Sequence, residues 1–314
     1  MHNHKIGALV RGISAGLVGL LAGTINVLTA VAQDKATTVA DESSAGLSLT
    51  VGDLYAGQTK MESSGETRGR VSVNRFAFGV GETITQEFKV GFSYQVSEIG
   101  HEQSNLTGLP GQLRTIAAAA TYTPEIEPGW TGILLVNPGW YTAAGGSAFG
   151  ARGFGVTTGV GVRREISPTL KATVGVAYNT LASRHYRIVP FSGLEWKVNG
   201  DWTLVAGVPQ TGISYAATKE LRLAWLVLAN GGSYYVEKDP RGDTAGKLSL
   251  ARSKLEHFEI LTGPSATYAW TKTSFVSISA GSVLYRRFEY RDLNYKSTSR
   301  DAAPYVTGTV GFGF

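Results

Sequence analysis

The chain has no cysteine among its 314 residues, so no disulfide staples it and no thiolate serves as nucleophile or metal ligand. Charge is scarce: Asp, Glu, Lys and Arg make up 17%, against about 25% in an ordinary soluble domain. Beyond residue 32 the only histidines are His101, His185 and His257, and no cluster has metal-ligand spacing. No apolar run after residue 32 approaches the ~18 residues of a helical membrane span. There is no Gly-x-Ser-x-Gly elbow. The glycine-rich stretches Gly145–Gly150 and Gly153–Gly161 do not lead into a helical pattern, which excludes a phosphate loop. Basic residues are not clustered, so no nucleic-acid partner is expected.

The N-terminus reads as an export leader. His2, His4, Lys5 and Arg11 give a basic start, Ile13 to Ala32 carries no charge, and Ala30-Val31-Ala32 is a small-x-small cleavage pattern. Residues 1–32 are therefore expected to be removed, leaving a short polar periplasmic segment at 33–44 and one domain at 45–314. Losing Lys5 and Arg11 takes 29 basic residues to 27 against 24 acidic ones, a net charge of +3.

That domain is dominated by alternation. Phe88, Val90, Phe92, Tyr94 and Val96 alternate with Lys89, Gly91, Ser93, Gln95 and Ser97. Leu170, Ala172, Val174, Val176 and Tyr178 oppose Lys171, Thr173, Gly175 and Asn179. A period of two means one apolar face and one small or polar face. The chain ends the same way, with Val310, Phe312 and Phe314 alternating with glycines. Gly is abundant at 40 residues, which suits closely packed strands around a hollow interior.

Short turns are expected at Gly81–Ile84, Pro124–Gly129, Ile166–Pro168, Val198–Asp201, Thr218–Glu220 and Thr271–Thr273. Longer polar connections are expected at Ala56–Thr67, Ile99–Gly111, Thr142–Gly150, Glu237–Lys247 and Arg291–Ala302. This asymmetry predicts an all-β fold, a transmembrane antiparallel up-and-down β-barrel. The count is about 14 strands, with 12 as the alternative if Trp202–Ala217 is one kinked strand rather than two. Tyr122, Trp130, Trp196, Trp202, Tyr268 and Trp270 flank the short turns and suit one interfacial girdle. Trp140, Tyr141, Tyr234, Tyr235 and Tyr290 are expected to form the other.

With its leader, its barrel pattern and its terminal Phe, the chain resembles Gram-negative outer-membrane β-barrel proteins. The segment Pro190-Phe191-Ser192-Gly193-Leu194-Glu195-Trp196, followed by Trp202-Thr203-Leu204, Pro209 and Ile213-Ser214-Tyr215, is similar to a recurring core of an uncharacterised outer-membrane barrel family. The resemblance implies outer-membrane lipid and the barrel-assembly machinery as partners, with Val310, Phe312 and Phe314 as the assembly signal. It implies no activity.

Parity assigns Lys89, Arg163, Lys171, Arg187, Glu195, Lys197, His257, Glu259, Tyr285, Arg287 and Glu289 to the lumen. Basic residues outnumber acidic ones there, so an open lumen favours anions, unless these charges pair with one another and fill it. Leu221–Leu228 is apolar on both faces. Leu226 and Leu228, with Val189, Phe191 and Val205, form an expected apolar lumen patch, suited to a hydrophobic cargo or to an inward-folded loop. His257 reads as an interior hydrogen-bonding residue. No catalytic residue, metal or cofactor is expected. The leading expectation is a passive channel for a small solute of unknown identity. A closed barrel whose loops bind a partner is the alternative, and a lipid-modifying enzyme the remote one. Mass spectrometry of the exported protein is expected to show a start at Gln33, and an intact Met1 on folded, membrane-inserted protein would contradict the leader.

Overall fold

The computed structural model describes residues 46–63, 66–102, 108–143, 149–183, 187–241 and 249–314. The expected leader and the segment 33–44 lie outside the described residues. Sixteen strands follow one another: β1 (Gly46–Ser63), β2 (Glu66–Thr83), β3 (Phe88–His101), β4 (Gln112–Tyr122), β5 (Glu125–Glu127), β6 (Trp130–Ala143), β7 (Phe154–Ser167), β8 (Leu170–Asn179), β9 (Ile188–Lys197), β10 (Trp202–Val208), β11 (Gln210–Ala216), β12 (Leu221–Val236), β13 (Ser253–Ala269), β14 (Phe275–Tyr290), β15 (Tyr295–Ser299) and β16 (Ala303–Gly313). Each pairs antiparallel with its neighbours, and β1 closes the ring on β16 through Ser48↔Gly313 to Ala56↔Tyr305. The three-residue β5 pairs only with β6, and β15 prolongs the β16 position between β14 and β1. The wall is thus a closed, 14-strand antiparallel barrel. Trp202–Ala217 does form two strands, hinged at Pro209.

Side-chain hydroxyls and amides hold the short turns. Asn199 Oδ1 accepts the N–H of Asp201 and of Trp202, both at 2.9 Å, and Thr271 Oγ1 accepts that of Ser274 at 2.9 Å. Thr218 Oγ1 does the same for Leu221 at 3.0 Å. These Asx and ST turns satisfy backbone donors that a reversal leaves unpaired.

The outward face is a belt of exposed apolar side chains, among them Phe92, Val160, Val174, Leu223, Trp225 and Ile278. A continuous belt of this kind is stable only against lipid. Tyr122, Trp196, Trp202, Tyr268 and Trp270 are exposed at the short-turn end, and Arg164 stacks over Trp130 at 5.0 Å. Phe312 and Phe314 point outward, and Phe312 packs edge-on against Trp270.

The two ends of the barrel differ. β1, β2, β12, β13 and β14 run 16–18 residues, while β8–β11 run only 7–10. The last rung between β11 and β12 is Gln210↔Leu228. Beyond it β12 continues alone on that side and leans across to β6, where Tyr235↔Thr142 and Val236↔Ala143 pair in parallel. Glycine permits the lean: a Cβ at Gly231 would sit 2.3 Å from His257 O, and one at Gly139 would sit 2.5 Å from Ile116 O. Above that seam nine wall positions close on themselves and leave β7–β11 outside.

The small upper section is filled. Met61, Val71, Val73, Tyr141, Leu255 and Phe288 are buried within it, joined by Leu109 and Leu250 from the connections. Tyr290 Oη donates to Gly108 O at 2.8 Å, and the Leu250 N–H donates to Asp239 Oδ2 at 2.8 Å. Burial pushes the Asp239 carboxyl up. The Arg241 guanidinium and two backbone N–H groups outweigh this and hold it below its usual range.

Three sequence expectations change. Ala56–Thr67 is not a loop, since β1 and β2 continue to a connection at 64–65; a bulge between Ala56 and Thr59 breaks the alternation that would have revealed the strand. Arg291–Ala302 contains β15. Tyr141, Tyr234 and Tyr290 are buried in the upper core, not set in an outer girdle, because the long strands rise above the apolar belt and turn their aromatics inward. Phe92→Arg is expected to destabilise the barrel by about 2–4 kcal/mol in lipid and Ser93→Arg by far less. Urea unfolding in vesicles measures both, and equal losses would contradict the assigned faces.

Candidate functional site: a half-sealed lumen

The interior has two storeys. Near the short turns the inward positions are small and half-exposed: Gly79 and Gly81 on β2, Gly91 and Ser93 on β3, Thr173 on β8, Ser277 and Ser279 on β14. These side chains leave the lower lumen open as a vestibule. Lys89, Arg163, Lys171, Glu195 and Lys197 lie on inward faces there, and Lys171 Nζ stands 3.8 Å from Glu165 Oε1 across a rung. The sequence reading missed Arg222 and Glu165. Arg222 shares the inward face of β12 with Ala224 and Leu226 and lies close enough to Glu195 to interact electrostatically. Its alternation with Leu223, Trp225 and Val227 was the available signal. With these two included, five basic and two acidic side chains line the vestibule.

The upper storey is dry. Its floor is an ion cluster around Glu259, which has no solvent exposure. Arg286 Nε donates to Glu259 Oε1 at 2.7 Å, and Arg75 Nη2 donates to Oε2 at 2.8 Å. Register places Arg286 beside Glu259 on neighbouring strands, whereas Arg75 reaches it from β2. Arg75 Nε also donates to Ser97 Oγ, and Arg286 Nη1 to Val71 O. His257 Nε2 lies 3.5 Å from Glu259 Oε1, and its ring stacks on Phe288 with centroids 4.7 Å apart. Sealed from solvent, His257 meets no substrate. Its role is to pack.

The expected lumen positions of Tyr285, Arg287 and Glu289 need correcting. β14 carries a bulge: Val283 faces Leu261 and Tyr285 faces Ile260, with Leu284 extra. The phase flips there, so Arg286 and Phe288 turn inward and Arg287 and Glu289 outward. Arg287 Nη1 lies 3.4 Å from Glu289 Oε2, and Arg291 Nε donates to Glu256 Oε2 at 2.6 Å. Arg187 sits at the top of β9 within electrostatic reach of Lys254.

Val189 and Phe191 are buried together with Ala177 and Ala182, while Leu228 packs against the upper core. Val205 and Leu226 are half-buried on neighbouring strands. The Phe191 ring lies along the wall, over the space that Cβ atoms at Gly161 and Gly175 would occupy at 3.0 and 2.3 Å from its Cζ. Among the described residues no group of three or more His, Asp or Glu side chains is placed to hold a metal ion.

Residues 81–309 match the family described as "Domain of unknown function (DUF6268)". The chain belongs to this family. No curated protein matches it. Among solved structures, the P. putida toluene transporter TodX is similar at 9% identity, with 86% of this chain and 90% of that one covered and a TM-score of 0.44. The KdgM porin is similar at 9% identity, 84% and 99% coverage and a TM-score of 0.33. The translocator domain of the autotransporter NalP from Neisseria meningitidis is similar at 12% identity, 96% and 100% coverage and a TM-score of 0.40. Scores this low carry no inference about cargo or mechanism.

Glu259→Ala is expected to destabilise the barrel by roughly 3–5 kcal/mol, because two buried guanidinium groups lose their only carboxylate. The midpoint of urea unfolding of folded protein measures it, and an unchanged midpoint would mean that the cluster is incidental.

Proposed function

We propose that the protein is a passive transporter of small solutes in the outer membrane of a Gram-negative cell, reached through a cleaved leader and the barrel-assembly machinery. The observation that carries this reading is the vestibule. A barrel built only as a surface platform gains nothing from a wide interior lined by Gly, Ser and Thr. The excess of basic side chains in it concentrates anions at the mouth. No enzymatic activity is assigned, since the lumen holds no solvent-accessible nucleophile and base in contact.

The upper seal favours a second reading, a closed barrel whose connections bind a partner. A pore plugged by Phe288, Tyr290 and an ion cluster conducts nothing while the plug stands.

Planar-bilayer recording separates the two. The transporter reading expects little steady conductance from the intact protein. It expects clear conductance, with a reversal potential favouring chloride over potassium, once Phe288→Ala loosens the seal. Lys171→Glu in that background is expected to weaken the anion preference. Silence from the loosened, correctly folded variant would favour the closed platform.

A further inference from the structure

The seal closes nine of the fourteen wall positions and leaves the other five with a gap above them. On the β11 side of β12, Asn230 to Tyr234 have no strand beside them among the described residues. The last link is the Ala229 N–H to Pro209 O at 2.8 Å. The wall is therefore breached between the tops of β8–β11 and the leaning β12.

The rim of the breach is apolar and outward. Phe154, Tyr178, Ile188 and Val227 are all exposed there, and Ile188 is the most so at 65%. Trp140 packs edge-on against Phe154 and Phe149 at this border. An exposed apolar rim belongs in lipid, so the breach faces the acyl chains and not bulk water. Inside it stand Val189 and Phe191, and below them the half-buried Val205 and Leu226 continue down to the vestibule.

Leu181 and Ala182 fill the gap from within. Side chains hold them, not a ladder. Asn179 Oδ1 accepts the Leu181 N–H at 2.8 Å, Glu256 Oε1 accepts the Ser183 N–H at 3.2 Å, and Lys254 Nζ reaches Thr180 O at 3.4 Å. Such attachments yield at far lower cost than a strand in the ring.

We propose that the solute route runs sideways, from the acyl-chain layer through this breach into the vestibule, and that its cargo is a small, neutral, apolar molecule. The inference rests on the transporter reading and names its path and its substrate class. A charged or strongly hydrated solute loses its water at the apolar rim with nothing to replace it. A molecule already dissolved in lipid meets no such barrier. The axial route is stopped by the Glu259 cluster, whereas the lateral one is stopped only by Leu181 and Ala182.

The test uses the absence of cysteine. A Cβ at Gly155 would lie 2.6 Å from Leu181 Cγ, so Gly155→Cys with Leu181→Cys is within disulfide reach. Cells expressing the full chain are given the apolar dye N-phenylnaphthylamine, and uptake is followed by fluorescence. Uptake is expected to exceed that of cells without the barrel, to fall to their level when the pair is oxidised, and to return on reduction. Leu181→Gly, which removes the obstruction, is expected to speed it. Heat-modifiable mobility confirms that each variant is folded, and bilayer recording is run alongside. Unchanged dye uptake in the oxidised pair and in Leu181→Gly, with anion conductance still released by Phe288→Ala, would overturn the lateral route and leave the transporter reading standing. Neither dye uptake nor conductance in any folded variant would remove both.

Discussion

A backbone amide in hydrocarbon has no water to fall back on, so a wall that crosses lipid must pair each strand on both sides. This constraint shapes the barrel. It closes β1 on β16, and it brings β12 across to β6 where the shorter β7–β11 run out. The seam is what a ring does when some of its members end early: the survivors re-close at smaller circumference. The dense upper core follows, because inward side chains of nine positions meet in a space too narrow to stay wet. Where the re-closure is incomplete, beside Asn230 to Tyr234, the wall is weakest.

The charges sort themselves by the same geometry. In the wide storey Lys171 and Glu165 keep contact with water and are worth little to stability. In the narrow storey Arg75, Arg286 and Glu259 lose their water and must satisfy one another. Removing any one leaves an uncompensated ion, so the cluster pins β2, β13 and β14 in a single arrangement. Stability and solute passage are thereby assigned to different heights of one molecule.

Much of this was legible in the sequence. Strict alternation in Phe88–Ser97 and Leu170–Asn179 fixed strand, face and wall position, because a period of two has one geometric meaning. The short turns were legible through Asn199, Thr218 and Thr271. What the alternation could not carry was any change of phase. The bulges at Ala56/Thr59 and at Leu284 hid the upper part of β1 and turned Arg287 outward where parity placed it inside. The meeting of Tyr235 with Thr142 left no local trace, since it joins strands far apart in the chain. Arg75 was readable from its parity with Gly79 and Gly81. Its partnership with Glu259 was not, because that depends on how narrow the ring becomes.

The shortness of β10 and β11 also acts on the bilayer. Seven residues at about 3.3 Å each, tilted by about 40°, give a height of roughly 18 Å, against a hydrocarbon-facing band of about 25 Å elsewhere on such barrels. Lipid beside these two strands must thin to match them, at a modest cost for each ångström of mismatch. The membrane around the protein is therefore uneven, and its thinnest, most loosely packed lipid lies against the one side of the ring that is not fully closed.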